Sequence, residues 1–134
     1  TGFCSETENE HNDTLSLMDN VMYDYSYMFY YSERPGTLAQ RKYEDDIPLK
    51  IKKRRLEEII KKQNIHSLKR NRLKIDKDYK VLVEGNSKKS NDFLKGRTSE
   101  NKMVIFPKKD DIIGSYVDVK IKDCNSATLF GELC

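Results

Sequence analysis

The side chains best suited to chemistry lie in the second half of the chain, where basic residues alternate with hydroxyl and amide side chains. The clearest group is Lys88, Lys89, Lys95, Arg97, Thr98, Asn101 and Lys102. Ammonium and guanidinium groups neutralise phosphate, while hydroxyl and amide groups add directional hydrogen bonds. Exposed aromatic side chains that could stack on bases are predicted to be few, because Phe93, Phe106 and Tyr116 each fit a core position. The pattern predicts a surface that binds RNA backbone and shape more than base sequence.

Charge is divided unevenly along the 134 residues. Residues 1–47 hold three basic and ten acidic side chains, a net charge of −7, and residues 48–134 hold 22 basic and 12 acidic ones, a net charge of +10. A strongly basic half attracts polyanions, of which nucleic acid is the commonest. A solvated lysine-rich surface is the alternative. The cluster from Lys52 to Arg55 is open to both interpretations, a phosphate track or the solvated face of a linker helix.

The cysteine and histidine spacing excludes the common metal and redox motifs. Cys4, Cys124 and Cys134 are far apart and odd in number, and His11 and His66 add no ligand pattern. Free thiols in a reducing cytosol are the expected state, so a cytoplasmic location is expected. No apolar run has the length of a membrane-spanning helix, and no signal peptide is recognisable.

The first 47 residues are predicted to be the last part of a larger α/β domain. Residues 1–5 read as the end of a strand, and Thr7 with Glu10 fits a capping box that begins a helix over residues 8–22. The aromatic run from Tyr25 to Tyr31 is typical of a strand buried on both faces. One strand–helix–strand unit cannot cover its own sheet, and the chain starts at Thr1 without methionine, so we expect a fragment.

A polar turn follows this second predicted strand and includes Ser32, Arg34 and a Pro-Gly pair. Ligands of parallel α/β folds gather at the carboxyl ends of strands. Ser32 and Arg34 could therefore face a ligand or an RNA phosphate. A plain exit from strand to loop fits these residues equally well.

The remainder is predicted to be a linker helix followed by a small all-β barrel. The helix is expected from Pro48 to about Ser67, with a charged hinge and a domain boundary near Arg72. Five strands with alternating apolar side chains follow, enough for a five-stranded OB-like barrel. The predicted strands are Tyr79–Glu84, Phe93–Arg97, Met103–Phe106, Tyr116–Asp123 and Thr128–Leu133. The predicted domains are residues 1–47, 48–72 and 73–134.

Three stretches, taken in order, resemble the radical SAM methylthiotransferase family. They are Gly-Phe-Cys-Ser-Glu-Thr-Glu (Gly2–Glu8), Ser-Glu-Arg-Pro-Gly-Thr (Ser32–Thr37), and the basic barrel, which is similar to the TRAM domain at the end of those enzymes. Cys4 and Ser5 replace the family's usual Pro and Gly. The likeness is greatest to members that methylthiolate carbon 2 of N6-isopentenyladenosine next to the anticodon of tRNA.

The resemblance implies cofactors, a partner and site residues. The full enzyme uses S-adenosylmethionine and two 4Fe–4S clusters, and its partner is the anticodon arm of tRNA. Gly2, Glu6, Ser32 and Arg34 would lie near S-adenosylmethionine. Lys88, Lys89, Arg97, Thr98 and Lys102 would bind tRNA.

The cysteine motifs that bind the family's clusters are absent from this sequence. We therefore expect these residues alone to be inactive, with no catalytic residue and no metal ligand among them. A monomer without membrane association is expected. A stand-alone RNA-binding module without catalytic activity is the alternative function, and a purely structural domain is a third.

Overall fold

The computed structural model describes residues 1–109 and 112–134. The chain forms two compact units, Thr1–His66 and Ser67–Cys134. The helices are α1 Glu8–Val21, α2 Leu38–Lys42 and α3 Leu49–Arg72. The strands are β1 Asp78–Asn86, β2 Phe93–Thr98, β3 Met103–Pro107, β4 Tyr116–Cys124 and β5 Thr128–Leu133. The three-part domain division stays a prediction.

Helix α1 begins with the predicted capping box. The Thr7 hydroxyl accepts a hydrogen bond from the Glu10 backbone N–H at 3.2 Å, and the Glu10 carboxylate accepts one from the Thr7 N–H at 2.7 Å. Two amide groups that the first helical turn leaves unpaired are thereby satisfied. The helix ends where Met22 takes a left-handed conformation with φ of 51°. The helix predicted over residues 8–22 is confirmed.

The strand predicted over residues 25–31 is wrong. Two hydrogen bonds join this segment to the first residue, from the Thr1 amino group to the Phe29 carbonyl and from the Tyr31 N–H to the Thr1 carbonyl, at 2.9 and 2.8 Å. No neighbouring strand of the described residues pairs with it, so no sheet forms. The aromatic side chains are exposed as a result, Tyr27 at 83%. Such side chains suit a strand only where other strands pair with it and further elements cover both faces of the sheet.

Helix α3 is longer than predicted and ends at Arg72 instead of near Ser67. Near its end, within the second unit, the buried Asn71 side chain donates hydrogen bonds to the carbonyls of Asn125 and Ser126 at 2.8 and 3.3 Å. These bonds fix the last helical turn against the β4–β5 loop. The sequence alone could not show this contact, because its partners lie 54 and 55 residues away.

Two residues of the Lys52–Arg55 cluster are buried, so the interpretation of that cluster as a solvated face is wrong for them. Lys52 donates to the Tyr31 carbonyl and to the Asp45 carboxylate, and Arg55 donates to the Glu6 carboxylate at 2.7 Å. Buried cations are retained only where such partners compensate for lost hydration. These two cations therefore serve packing within the first unit.

The second unit contains a closed five-stranded barrel in the order β1-β2-β3-β5-β4, with β4 returning to β1. All pairs are antiparallel except β3 and β5. Alternate side chains of every strand point inward and fill the core. The fully buried core side chains are Val81, Val83, Leu94, Val104, Phe106, Val119, Ile121 and Leu129. The predicted OB-like barrel after a helical region is confirmed, and each predicted strand agrees with an observed one to within two residues.

Two glycines allow neighbouring strands to approach closely. A Cβ atom at Gly96 would overlap the Leu82 carbonyl oxygen, and one at Gly131 would overlap the Lys120 carbonyl oxygen. Both glycines are buried on the inner face of the barrel, where a side chain would have no room.

None of the helices in the described residues is long and apolar enough to cross a bilayer.

Candidate nucleic-acid interface

Strand β2 presents a row of aromatic and basic side chains on the outside of the barrel. Phe93, Lys95 and Arg97 point outward because the residues between them, Leu94 and Gly96, are buried in the core. Side chains two apart on one strand are about 7 Å from each other. The row thus places an aromatic ring and two cations along a line of about 13 Å.

The Arg97 guanidinium is held in place by two neighbours. Its Nη1 donates to the side-chain and backbone oxygens of Asn101 at 2.8 and 3.2 Å, and its Nε lies 3.3 Å from the Glu84 carboxylate. Asn101 reaches it from a left-handed conformation with φ of 61°, which asparagine tolerates well. A cation fixed in this way loses little side-chain entropy when it binds an anion.

Thr98 and Lys102 close the turn between β2 and β3 and are both buried. The Thr98 N–H donates to the Lys102 carbonyl at 3.0 Å, and the Lys102 N–H donates to the Thr98 hydroxyl at 3.2 Å. Their observed contacts shape the turn that carries Asn101. Direct contact of these two side chains with RNA stays a prediction.

Lys88 and Lys89 are exposed in the β1–β2 loop, at the opposite end of β2 from Arg97. The six residues of β2 separate the two groups by about 17 Å. The structure therefore does not bring the predicted RNA-binding residues into one cluster: Lys88 and Lys89 lie beyond one end of β2, and Arg97 lies near the other. The same end of the barrel carries Lys108, whose N–H donates to the Asp92 carbonyl at 2.8 Å and so joins the β3–β4 loop to the β1–β2 loop.

The expectation that Phe93 and Tyr116 belong to the core is wrong, whereas Phe106 is fully buried as expected. Phe93 is 40% exposed and Tyr116 is 67% exposed. Both lie at outward positions, because the next residues, Leu94 and Val117, point to the interior. Strand alternation could have shown this, since a single register decides which side chains face the core.

Cross-strand register connects Tyr116 to the β2 row. Leu82 on β1 pairs with Arg97 on one side and with Tyr116 on the other. Adjacent strands lie about 4.8 Å apart, so Tyr116 is roughly 10 Å from Arg97 across the barrel surface. The candidate interface is this outer face of β1, β2 and the start of β4, together with the lysines of the β1–β2 loop.

Gly2 and Glu6 shape the start of the first unit. The Glu6 carboxylate accepts hydrogen bonds from the Gly2 N–H at 2.6 Å and from Arg55 at 2.7 Å. Gly2 has a φ of 71°, and a Cβ atom there would overlap the Lys52 side chain, so the position requires glycine. Both residues are committed to contacts within the unit.

Ser32 and Arg34 line an open cavity of about 620 Å³ in the first unit. The remaining lining residues are Thr1, Phe3, Phe29, Tyr30, Tyr31 and Leu56. Half of the lining residues are thus aromatic, and Arg34 adds a guanidinium group. Gly2 and Glu6 do not line it, so the structure does not bring the four residues predicted to lie near S-adenosylmethionine into one site.

Ion pairs connect α1 and α3 in the first unit. The fully buried His11 lies 2.7 Å from the Glu58 carboxylate, which also accepts from Arg54 at 2.8 Å. The hydrogen bond from His11, followed by that from Arg54, holds the pKa of Glu58 below its ordinary value of 4.5. The contact to Lys62, followed by that to His66, lowers the pKa of Asp19 in the same way.

A family model described as "TRAM domain" matches residues 72–134. Residues 72–134 are a TRAM domain. The match includes all five strands, so every residue of the candidate interface belongs to the TRAM domain.

Curated relatives match almost the whole chain, including the unit that precedes the TRAM domain. Proteins named tRNA-2-methylthio-N(6)-dimethylallyladenosine synthase from Amoebophilus asiaticus, Christiangramia forsetii and Karelsulcia muelleri are 61%, 54% and 53% identical to it. The matches cover 99%, 98% and 99% of this chain but only 27%, 27% and 29% of the relatives. The predicted resemblance to the methylthiotransferase family is confirmed, and the chain corresponds to the C-terminal part of these relatives.

The described residues do not fit an iron–sulfur cluster. A 4Fe–4S cluster is held by cysteine thiolates, and the three cysteines here are free, with Cys4 in the first unit and the other two in the TRAM domain. Among the residues that the structure describes, no group of three histidine, cysteine or acidic side chains is placed to hold a metal.

Proposed function

We propose that this chain is the tRNA-binding C-terminal part of a tRNA methylthiotransferase. The complete enzyme would methylthiolate carbon 2 of an N6-isopentenylated adenosine next to the anticodon. The curated relatives carry the name of this activity. The observation that carries the tRNA-binding role is the outward row of Phe93, Lys95 and Arg97 on β2 of the TRAM domain.

Phosphate binding follows from the charges along β2. Lys95 and Arg97 are half-buried on the strand, and Lys88 and Lys89 extend the line beyond its first residue. A nucleic acid backbone laid along this line meets cations over about 17 Å. Each phosphate that such a cation neutralises releases condensed counterions, so the affinity should depend steeply on salt. Thr98 and Lys102 would act through the turn that they close.

The first unit would complete the catalytic domain of the full enzyme. Ser32 and Arg34 would face S-adenosylmethionine from the wall of the aromatic cavity, and Gly2 and Glu6 would shape the loop beside it. The cofactor would supply the radical chemistry together with two 4Fe–4S clusters. Because the described residues offer no cluster ligands, this chain alone should bind tRNA without modifying it. The substrate named for the relatives, tRNA, implies action in the cytoplasm.

The test is binding of this chain to tRNA across a salt series, in wild type and in the double variant Lys95→Ala/Arg97→Ala. We expect the variant to bind more weakly and the slope of log affinity against log salt to become less steep by roughly 1 to 2, because up to two phosphate contacts are lost. The matched control is Lys120→Ala/Lys122→Ala. It removes two lysines that are likewise two residues apart, but on β4, which is not a neighbour of β2.

The control variant should keep both the affinity and the salt slope of the wild type. An equal loss of tRNA affinity in the two double variants would show that only net charge matters and would exclude the β2 row as the binding site. No binding by the wild-type chain at low salt would contradict the tRNA-binding role itself.

A further inference from the structure

We propose that the outer face of the TRAM barrel takes unpaired nucleotides, with bases stacking on Phe93 and Tyr116 while Lys95 and Arg97 bind the neighbouring phosphates. This inference rests on the proposed function and adds the class of RNA that the surface recognises. A surface that contacts only phosphates would bind single strands and duplexes alike.

The first support is that Phe93 and Tyr116 are exposed although the barrel core is complete without them. The interior is filled by eight other fully buried side chains. Strand alternation places both rings on the outer surface. Large aromatic side chains that lie outside the core are a recognised feature of binding surfaces.

The second support is the position of the rings relative to the cations. Phe93 lies two residues from Lys95 on the same face of β2, about 7 Å away. Tyr116 lies across β1 from Arg97, roughly 10 Å away, with the half-buried Leu82 between them. Each ring therefore has a cation within about one nucleotide's reach, and aromatic rings combined with a basic surface are the arrangement that binds single strands.

The third support is the electrostatic setting of Arg97. Two hydrogen bonds to Asn101 and the contact to Glu84 orient its guanidinium through Nη1 and Nε. An oriented cation beside an exposed ring fixes the phosphate, and hence the attached base, in one position over the surface. The nearby Glu84 carboxylate disfavours a second phosphate, so a base and not backbone should cover the adjacent Leu82.

Unpaired RNA fits this surface better than duplex RNA. An A-form duplex keeps its bases stacked inside, and its narrow major groove excludes side chains. Rings on a convex barrel would then touch only sugars and phosphates. Unpaired bases in a loop can turn outward and stack on exposed rings.

The test compares two short RNAs with the same total number of phosphates, one single-stranded and one a blunt duplex of half its length, binding to this chain at fixed salt. The variant is Phe93→Leu/Tyr116→Leu, which keeps apolar side chains but removes the rings. We expect its affinity for the single strand to fall about tenfold or more. Its affinity for the duplex should change less than about twofold, and its salt slope should equal that of the wild type because no cation is lost.

A second variant reports binding by a fluorescence signal and does not rely on a loss of affinity. The chain contains no tryptophan, so Tyr116→Trp introduces a single indole at the proposed platform. We expect its fluorescence to be quenched on addition of the single strand and not on addition of the duplex. Tyr27→Trp, at an exposed tyrosine of the first unit, is the matched control and should not respond.

The inference is overturned if the leucine variant binds both RNAs as the wild type does, or loses both equally. An unchanged indole signal in the Tyr116→Trp variant at saturating single strand would overturn it as well. These outcomes differ from failure of the proposed function, in which the wild-type chain would bind neither RNA nor tRNA.

Discussion

The turn between β2 and β3 orients the Arg97 guanidinium through Asn101. Asn101 accepts two hydrogen bonds from it, one through its side chain at 2.8 Å, and adopts a left-handed conformation with φ of 61°. Asparagine and glycine both tolerate that conformation, but only asparagine offers a side-chain acceptor to the guanidinium. Asn101 therefore positions the Arg97 guanidinium, and under the proposed function it would affect RNA binding through Arg97.

Replacing Asn101 by glycine keeps the turn conformation and removes the side-chain acceptor. We expect Asn101→Gly to weaken tRNA binding by roughly two- to tenfold, because Arg97 must then be ordered at the moment of binding. The salt slope should not change, since the number of cations is the same. Titrations at several salt concentrations measure both quantities.

Ser99→Gly is the matched control for this substitution, because it alters an exposed residue of the same turn without touching the Arg97 contacts. It should bind as the wild type does. A loss of affinity as large as that of Asn101→Gly would mean that turn flexibility, and not the contact to Arg97, causes the effect.

The exposure of single side chains was harder to predict from the sequence than the helices and strands were. Arg97 lies at an outward position of β2, as expected of a charged side chain on a strand with one face in the core. Phe93 and Tyr116 were misplaced, since an aromatic side chain satisfies either face of a strand and only the register decides between them. Lys52 and Arg55 were misjudged because the partners that compensate their burial, including the carboxylates of the first unit, lie elsewhere in the sequence.

At the scale of elements, α1 and α3 are joined through charged side chains as well as apolar ones. Glu58 accepts from His11 and Arg54, while Glu8 accepts from Arg54 and Arg55. The pKa of Glu8 is lowered by its bonds to the two arginines, as that of Glu58 is by its bonds to His11 and Arg54. The helix pair therefore depends on the ionised state of its carboxylates.

A carboxyl group whose pKa is lower in the folded than in the unfolded chain stabilises the fold above the unfolded value. That contribution is lost as pH falls through the folded value. The unfolded value for Glu58 is 4.5 and its folded value is lower. We expect the free energy of unfolding of the helices to fall more steeply with acidification below about pH 4.5 in wild type than in Glu58→Gln, whose side chain does not ionise.

Urea unfolding followed by circular dichroism at several pH values measures this difference. Glu57→Gln is the matched control, because it removes an exposed carboxylate one residue away from the one that contacts His11. It should keep the wild-type pH dependence. If the free energy of unfolding fell with acidification as steeply in Glu58→Gln as in the control, the contact between His11 and Glu58 would contribute nothing to the pairing of the helices.

Elements were predicted better than single residues, and the exceptions have physical causes. The capping box, the helix after it and all five strands of the barrel follow from local patterns that need no distant partner. The strand expected over residues 25–31 needs neighbouring strands, which the described chain does not supply. The last turn of α3 extends to Arg72 because Asn71 binds the loop at Asn125, a contact made far along the sequence.

At the scale of the whole molecule, the two units differ in how much apolar surface they bury. All eight members of the main core cluster belong to Ser67–Cys134. Among the described residues of Thr1–His66, the buried hydrophobic side chains are Cys4, Met18 and Ile59. Each fully buried apolar side chain contributes about 1.5–3 kcal/mol, so the barrel should be much the more stable unit.

We expect thermal unfolding of the chain to show two transitions. The lower one should be seen mainly in the helical signal, and the higher one should belong to the barrel. A fragment of residues 67–134 should fold and keep the higher transition, because its core is contained within it. Circular dichroism and tyrosine absorbance distinguish the two thermal transitions. A single transition in the full chain, or an unfolded fragment, would contradict this division.

Closure of the barrel has a consequence for how the chain behaves when concentrated. Every strand of the barrel is paired on both sides, so none offers a free edge to another molecule. The extended segment of residues 25–31 has the opposite character, with exposed rings such as Tyr27 and Phe29 and no strand beside it in the described chain. Part of its backbone is bonded to Thr1, but short segments rich in exposed aromatic side chains are the usual starting points of intermolecular β-pairing. Aggregation of this chain should therefore begin in its first 66 residues, and the barrel should remain in solution once it is separated from them.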